Sequence, residues 1–179
     1  DKGYFPSKGS NFSGAYSLYT DNFARYNGHA PFSALSASWE SVFSISNRLT
    51  LIPALYGRVL IGQEIPYAYE NALGGDVFGR YLPQQLPFAG IYNTELTHNS
   101  VAVASLKLRQ RMGSKHYITL AGNFALSDDN FFKILKGNRI YGCSIGYGLD
   151  SMFGPLEASL GYSNQSKDVG FYVNLGFSF

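Results

Sequence analysis

Charged residues are scarce in this 179-residue chain: Asp, Glu, Lys and Arg make up 15% of it, against about 25% in ordinary soluble domains. The net charge of +2 gives no basic excess and predicts no nucleic-acid partner. The single cysteine, Cys143, excludes an internal disulfide and a cysteine-based metal site. No apolar run approaches the ~18 residues of a transmembrane helix. With no metal-ligand cluster and no phosphate-binding glycine loop followed by a helix, no cofactor is predicted.

Aromatic residues and glycine are abundant instead, with 14 Tyr, 14 Phe and 20 Gly. Large apolar residues alternate with small or polar ones along the last stretch, at Phe171, Val173, Leu175, Phe177 and Phe179. The same alternation occupies two preceding stretches, residues 141–150 and 156–163. Strict period-2 alternation is typical of strands, and an apolar outside with a polar inside suits a barrel in lipid. The sequence therefore predicts an all-β, transmembrane antiparallel β-barrel, with a water-soluble all-β fold as the alternative.

Eight strands are predicted within a single domain of residues 1–179. They cover residues 10–20, 32–46, 49–62, 99–112 and 116–127, together with the three terminal stretches. Connections after the second, fourth and sixth strands are short, whereas those after the first, third and fifth are long. Outer-membrane barrels have short periplasmic turns and long outer loops. The longest connection, residues 63–98, is rich in aromatics and poor in charge, so we expect it to be functional.

Several cations are predicted to face the inside of the barrel. Lys107, Arg109 and Arg111 share one face of a strand whose other face is Ala and Leu, and a charged row is costly against lipid. Arg58 likewise lies opposite an apolar face.

A serine motif offers an enzymatic alternative. Residues 142–146, Gly-Cys-Ser-Ile-Gly, match the nucleophile-elbow pattern, which needs a strand, a sharp turn and a helix. Here the motif lies inside an alternating strand, and no histidine has a suitable spacing to Ser144. We therefore predict no catalytic residue in this chain, although a small barrel lipase stays the alternative.

The order of strands and loops resembles the bacterial surface antigen superfamily, which includes the BamA and TamA barrels. The similar elements are a Gly-rich strand, the turn Gly154-Pro155-Leu156 and a final strand ending in an aromatic residue. This resemblance implies that the chain is the C-terminal eight strands of a sixteen-stranded barrel. It also implies that residues 63–98 are a lid loop inside the barrel, with Gly79, Arg80 and Tyr81 at its tip.

The chain departs from the family pattern at this tip, where the usual Arg-Gly order is exchanged. Lys107 and Asn123 stand at wall positions where the family tends to have Glu and Asp, which weakens the usual ionic lock. The resemblance therefore implies that Lys107 and Asn123 face the lumen, and alternation along the strands predicts the same of Arg58 and Arg109.

Two sequence segments look most like the barrels attached to patatin-like phospholipases of Bacteroidetes-type bacteria. They are residues 5–9 (FPSKG) and 74–88 (GGDVFGRYLPQQLPF). In that case the chain anchors or exports an upstream catalytic domain in the bacterial outer membrane. The alternatives are a barrel-assembly or translocation factor and a self-contained small barrel. Expected partners are outer-membrane lipids, upstream strands or an upstream domain of the same chain, and the barrel-assembly machinery, which would read Phe171, Phe177 and Phe179.

Overall fold

The stretches in which apolar and polar residues alternate form long antiparallel strands. The structure, a computed structural model, describes residues 5–20, 31–63, 65–79, 82–152 and 154–175. The strands of the described residues are β1 (Gly9–Tyr19), β2 (Phe32–Ser44), β3 (Leu49–Ile61), β4 (Asn71–Leu73), β5 (Gln85–Leu86), β6 (Glu95–Thr97), β7 (Ser100–Met112), β8 (His116–Asp128), β9 (Asn138–Ser151), β10 (Gly154–Ser163) and β11 (Val169–Leu175). Short 3-10 helices cover Tyr67–Tyr69 and Phe131–Lys136. No helix of these residues is long and apolar enough to cross a membrane.

Eight strands form one meander in the order β1-β2-β3-β7-β8-β9-β10-β11. Every neighbouring pair is antiparallel. The small strands β4, β5 and β6 form a separate sheet within the long connection. The eight-stranded antiparallel sheet confirms the predicted all-β fold.

The connections alternate between the two rims of the sheet. Residues 45–48, 113–115 and 152–153 make short links at one rim, which we call the turn rim. Residues 20–31, 62–99 and 129–137 make long links at the other, the loop rim. The first turn is longer than the predicted two residues because the Ser46 hydroxyl accepts hydrogen bonds from the N–H groups of Arg48 and Leu49, at 3.3 and 3.2 Å. This arrangement ends β2 at Ser44 rather than at the predicted Ser46.

The two faces of the sheet have opposite character. On the outer face, large apolar side chains are exposed: Phe171 is 66% exposed and Leu106 52%. One register row of this face runs Leu51, Leu108, Leu120, Ile145, Leu160 and Phe171 across six strands. An exposed apolar belt of this kind is costly in water and favourable against lipid.

The hydrophobic core lies on the inner face, against residues 65–98. Its members from the strands are Ala54, Tyr56, Val101, Val103, Ala125 and Ile140, and those from the long connection are Leu73, Leu86, Phe88 and Ile91. A second cluster at the loop rim joins Phe32, Ala34 and Leu60. The long connection is therefore part of the core.

Candidate functional site: the inner face and the segment that covers it

The covering segment, residues 65–98 as far as they are described, is held together by its own small sheet. β4 pairs in parallel with β5 and antiparallel with β6. The Gln85 side chain donates a hydrogen bond of 2.6 Å to the Gly74 carbonyl, and Gly75 N–H donates to Ile91 at 2.7 Å. Gly74 has φ 140°, and a Cβ there would collide with the Asn93 carbonyl. The segment is thus a compact unit with a buried apolar side.

A chain of hydrogen bonds attaches this unit to the middle of the sheet. The Tyr56 hydroxyl on β3 donates to the Pro87 carbonyl at 2.6 Å. The Asn123 amide on β8 donates to the Tyr56 oxygen at 3.1 Å, and Ser105 Oγ on β7 donates to Asn123 Oδ1 at 3.5 Å. All three side chains are buried. Because each polar group is removed from water, the bonds between them position the segment as well as holding it.

Arg58 fixes the segment near the loop rim. Its guanidinium donates to Asn71 Oδ1 at 2.9 Å and to the Tyr69 carbonyl at 3.1 Å. Asn71 in turn donates to the His98 carbonyl at 2.8 Å. Arg58 is 7% exposed and Asn71 fully buried, so this cation is satisfied by neutral oxygens of the covering segment.

On strands β9, β10 and β11, glycines of the inner face make room for the covering segment. A Cβ on Gly142 of β9 would collide with the Ala89 carbonyl and lie 2.9 Å from Phe88 Cε1. The Tyr92 ring occupies the space above Gly161 and Gly170, and it stacks on Tyr172 with centroids 5.9 Å apart. Burial raises the pKa of the Tyr92 hydroxyl. Close approach to a β-strand requires glycine there, which explains why these positions carry no side chain.

The residues before β1 lie against the inner face at the turn rim. The Phe5 ring stacks on Tyr117 with centroids 4.1 Å apart, and the Arg109 guanidinium lies 5.1 Å from the Phe5 centroid. Arg109 also donates to the Pro6 carbonyl at 3.4 Å, and Ser44 donates to the Ser7 carbonyl at 2.6 Å. The sequence predicted only a turn here, since a cation–π contact between residues this far apart has no local sequence signal.

A cavity of about 640 Å³ separates the covering segment from β1, β2 and β3. Glu40, Asp76, Gln84, Lys107 and Ser144 are among its lining side chains. Serine, alanine and glycine form most of its sheet side, so the space has a mixed polar and apolar lining and admits water-sized solutes.

The predicted lumen-facing residues share the inner face. Lys107 and Arg109 alternate on β7, Asn123 lies on β8 beside Ser105, and Arg58 lies on β3 beside Val101. Lys107 and Asn123 face the same cavity. Ser144 also lies on this face, within a strand that continues to Ser151, so no strand-turn-helix elbow forms around it.

The predicted lid tip and terminal signal are described only in part. Gly79 makes a turn with φ 63°, and its N–H donates to the Gln85 carbonyl at 3.2 Å. Arg80 and Tyr81 lie outside the described residues. Phe171 is on the outer face, whereas Phe177 and Phe179 lie outside the described residues. In the described part of the chain, no group of three or more His, Cys, Asp or Glu side chains is arranged to hold a metal ion.

An antiparallel meander with an exposed apolar outer face, and with an inner face that carries the charged groups and a packed segment, is typical of the transmembrane β-barrel class. A family model, described as the OMP85 superfamily, matches residues 1–179, and the chain belongs to this superfamily. Its members are outer-membrane proteins of Gram-negative bacteria or of organelles. A comparison with curated proteins returned no match.

Proposed function

We propose that this chain belongs to a bacterial outer-membrane barrel that serves as a membrane anchor or translocation pore for an attached upstream domain. Its eight long strands form part of the barrel wall, and residues 65–98 close the interior. The observation that carries the proposal is the docking of residues 65–98 on the inner face. Phe88, Ile91 and Leu73 supply core contacts there, and Tyr56 and Arg58 of the sheet are satisfied by oxygens of the segment. A segment bound this way closes the interior until something displaces it.

The sheet beneath the segment is suited to conduct water once it is uncovered. Its inner face carries many small residues, such as Ser13, Ser38, Ser105, Gly146 and Ser159, beside the cations Lys107 and Arg109. Removing the segment therefore uncovers an apolar patch that includes Val101, Val103 and Ile140. Around this patch lies a polar and charged surface that water can wet.

Conductance in planar bilayers tests this closure. Replacing residues 63–98 with a short Gly-Ser turn is sterically allowed, because Leu60 N–H already donates to the Asn99 carbonyl at 2.8 Å across the same two strands. Both proteins are measured as full-length chains. We expect the full-length protein with the shortened connection to conduct steadily, and the unaltered full-length protein to stay mostly closed. The matched control shortens another loop-rim connection, residues 129–137, and should stay closed. Equal conductance of the intact protein and the 63–98 deletion would contradict the proposal.

We further propose that the barrel contains more strands than these eight. An eight-stranded barrel has an interior just filled by its own side chains. Here the inner face carries a folded segment, an additional cavity of about 640 Å³ and the Phe5 contact. A larger barrel, such as the sixteen-stranded one implied by the resemblance, accommodates all three.

The attached domain that we propose is a patatin-like phospholipase, on the resemblance of residues 5–9 and 74–88. Catalysis would then lie upstream of the barrel. Phospholipase activity in the longer gene product, absent from this chain, is the expected result. Activity in neither would contradict the attached enzyme and leave the barrel proposal standing. Activity in this chain that Ser144→Ala abolishes would instead favour the barrel lipase.

A further inference from the structure

A valley of small residues crosses the outer face. Gly14, Ala37, Gly57 and Ala102 are direct register neighbours on four adjacent strands. Neighbouring strands lie about 4.8 Å apart, so the valley runs about 19 Å from Gly14 to the strand beyond Ala102. The next residue in the row is Leu126, where the valley ends.

Large side chains flank this row of small residues on both sides, so that the row forms the floor of a groove. Leu35 and Val59 stand in the register row on one side, and Trp39, Leu55 and Phe124 in the row on the other. The groove holds a volume of about 490 Å³ and is lined almost entirely by carbon. Its length and apolar lining match one extended hydrocarbon chain.

The short helix Phe131–Lys136 stands at the end of the groove on the loop rim. A 3-10 helix repeats every three residues, so its side chains form three stripes. Phe131 and Ile134 line the groove. Phe132 and Leu135 form a second stripe and are 92% and 74% exposed. Lys133 and Lys136 form the third.

This helix has the character of an element at a membrane interface. Exposed large apolar residues beside lysines are typical of segments that lie between acyl chains and headgroups. Asn130 holds its start, since Asn130 Oδ1 accepts from Phe132 N–H at 3.0 Å. This cap fixes where the helix begins, and Lys133 and Lys136 follow within its six residues.

The neighbouring acidic groups are already engaged. Asp128 accepts from Asn130 N–H at 2.8 Å. Asp129 contacts His98 Nδ1 at 3.1 Å and accepts from Asn99 N–H at 3.3 Å. Arg139, the register neighbour of Leu126, adds a further cation at this end of the outer face. Both carboxylates keep their charge, but Lys133, Lys136 and Arg139 outnumber Asp128 and Asp129, so this end of the groove carries a net positive charge that favours an anionic headgroup.

We propose that the groove and the helix 131–136 together bind one phosphorylated glycolipid of the outer leaflet. One acyl chain lies along Ala37, Gly57 and Ala102, and a phosphate contacts Lys133 and Lys136. The outer leaflet follows from position, because the helix belongs to a long connection and long connections lie on the extracellular side of outer-membrane barrels. This site is separate from the inner face and does not depend on whether the barrel conducts.

Native mass spectrometry of the protein purified from outer membranes tests the site. Three probes are added in turn: diphosphorylated lipid A, its dephosphorylated form and phosphatidylglycerol. We expect a single lipid A to stay bound, with both other probes bound more weakly. Ala102→Trp fills the groove from the outer face and should abolish this adduct. Ala158→Trp, a small-to-large change on the outer face of β10, is the matched control and should keep it.

The lysines are tested separately. Lys133→Gln with Lys136→Gln should weaken lipid A binding roughly tenfold or more, since each cation near an anionic surface contributes to binding. Lys115→Gln, at the turn rim, should have no effect. The proposal is overturned if the adduct survives Ala102→Trp, if the double lysine variant binds lipid A unchanged, or if phosphatidylglycerol binds as tightly as lipid A.

Discussion

The hydroxyl of Tyr56 donates a 2.6 Å hydrogen bond to the carbonyl of Pro87, which joins the middle of the sheet to the segment that covers it. Tyr56 also accepts from Asn123, so one buried oxygen connects two strands and the covering segment. Removing this oxygen leaves the Pro87 carbonyl and the Asn123 amide without their partner. This relationship makes Tyr56 the most informative single position on the inner face.

Tyr56→Phe should loosen the covering segment without changing the packing of the ring. Two buried polar groups lose a partner, at a cost of about 1–3 kcal/mol. We expect more frequent openings in planar bilayers and faster proteolysis within residues 63–98. Tyr16→Phe is the matched control, because the Tyr16 hydroxyl bonds to Ser33 at 2.9 Å on the exposed outer face. Equal opening frequencies for the two variants would refute the role of Tyr56.

Gly142→Ala should displace the segment through a steric effect. The new methyl group would collide with the Ala89 carbonyl and approach Phe88 at 2.9 Å. Gly146→Ala, on the same face of the same strand, meets its nearest atoms only at 3.5 Å, an ordinary contact. We expect only Gly142→Ala to raise conductance and protease sensitivity. Closed channels in both variants would show that the covering segment does not pack closely against Gly142 of β9.

The sequence predicted the strands and their faces well, because alternation is a local property of each strand. By the same argument it predicted that Arg58, Lys107 and Arg109 face away from lipid. In the structure they lie on the face opposite the exposed apolar row, and their position in a lumen stays a prediction. The contacts that hold the covering segment could not be predicted. Tyr56 meets Pro87, and Tyr92 meets Gly170, across residues that are distant in the chain and whose spacing carries no period. The turn at residues 47–48 was predicted, but two residues too short, because the Ser46 side chain and not a turn dipeptide shapes its start.

The larger-barrel proposal predicts that β1 and β11 are not neighbours in the full-length protein. In a Cys143→Ser background, Ser13→Cys combined with a cysteine at 170, 172 or 174 should give no disulfide. Ser13→Cys with Ser38→Cys is the positive control, since those hydroxyls lie 2.7 Å apart on paired strands. Efficient cross-linking of β1 to β11 would mean that the eight strands close by themselves.

The proposed assembly signal predicts that deletion of Phe179 lowers the amount of folded barrel in the outer membrane. An aromatic terminus in register with Phe171 is the feature that the resemblance implies is read. Heat-modifiable mobility on gels measures the folded fraction. Phe132→Ala, an exposed aromatic on the loop rim, controls for loss of an apolar side chain. A yield that is unchanged by the deletion would remove Phe179 from the signal.

The central claim is that residues 65–98 lie inside the barrel, and a disulfide across the Tyr92 contact tests it most directly. Tyr92 Cγ lies 3.3 Å from the position of a Cβ on Gly170, which brings two cysteines within disulfide reach. In a Cys143→Ser background, Tyr92→Cys with Gly170→Cys should cross-link in intact membranes and keep the channel closed until it is reduced. Tyr92→Cys with Gly148→Cys, near the turn rim, should stay reduced. Free thiols in the first pair, or cross-linking in both, would contradict the account.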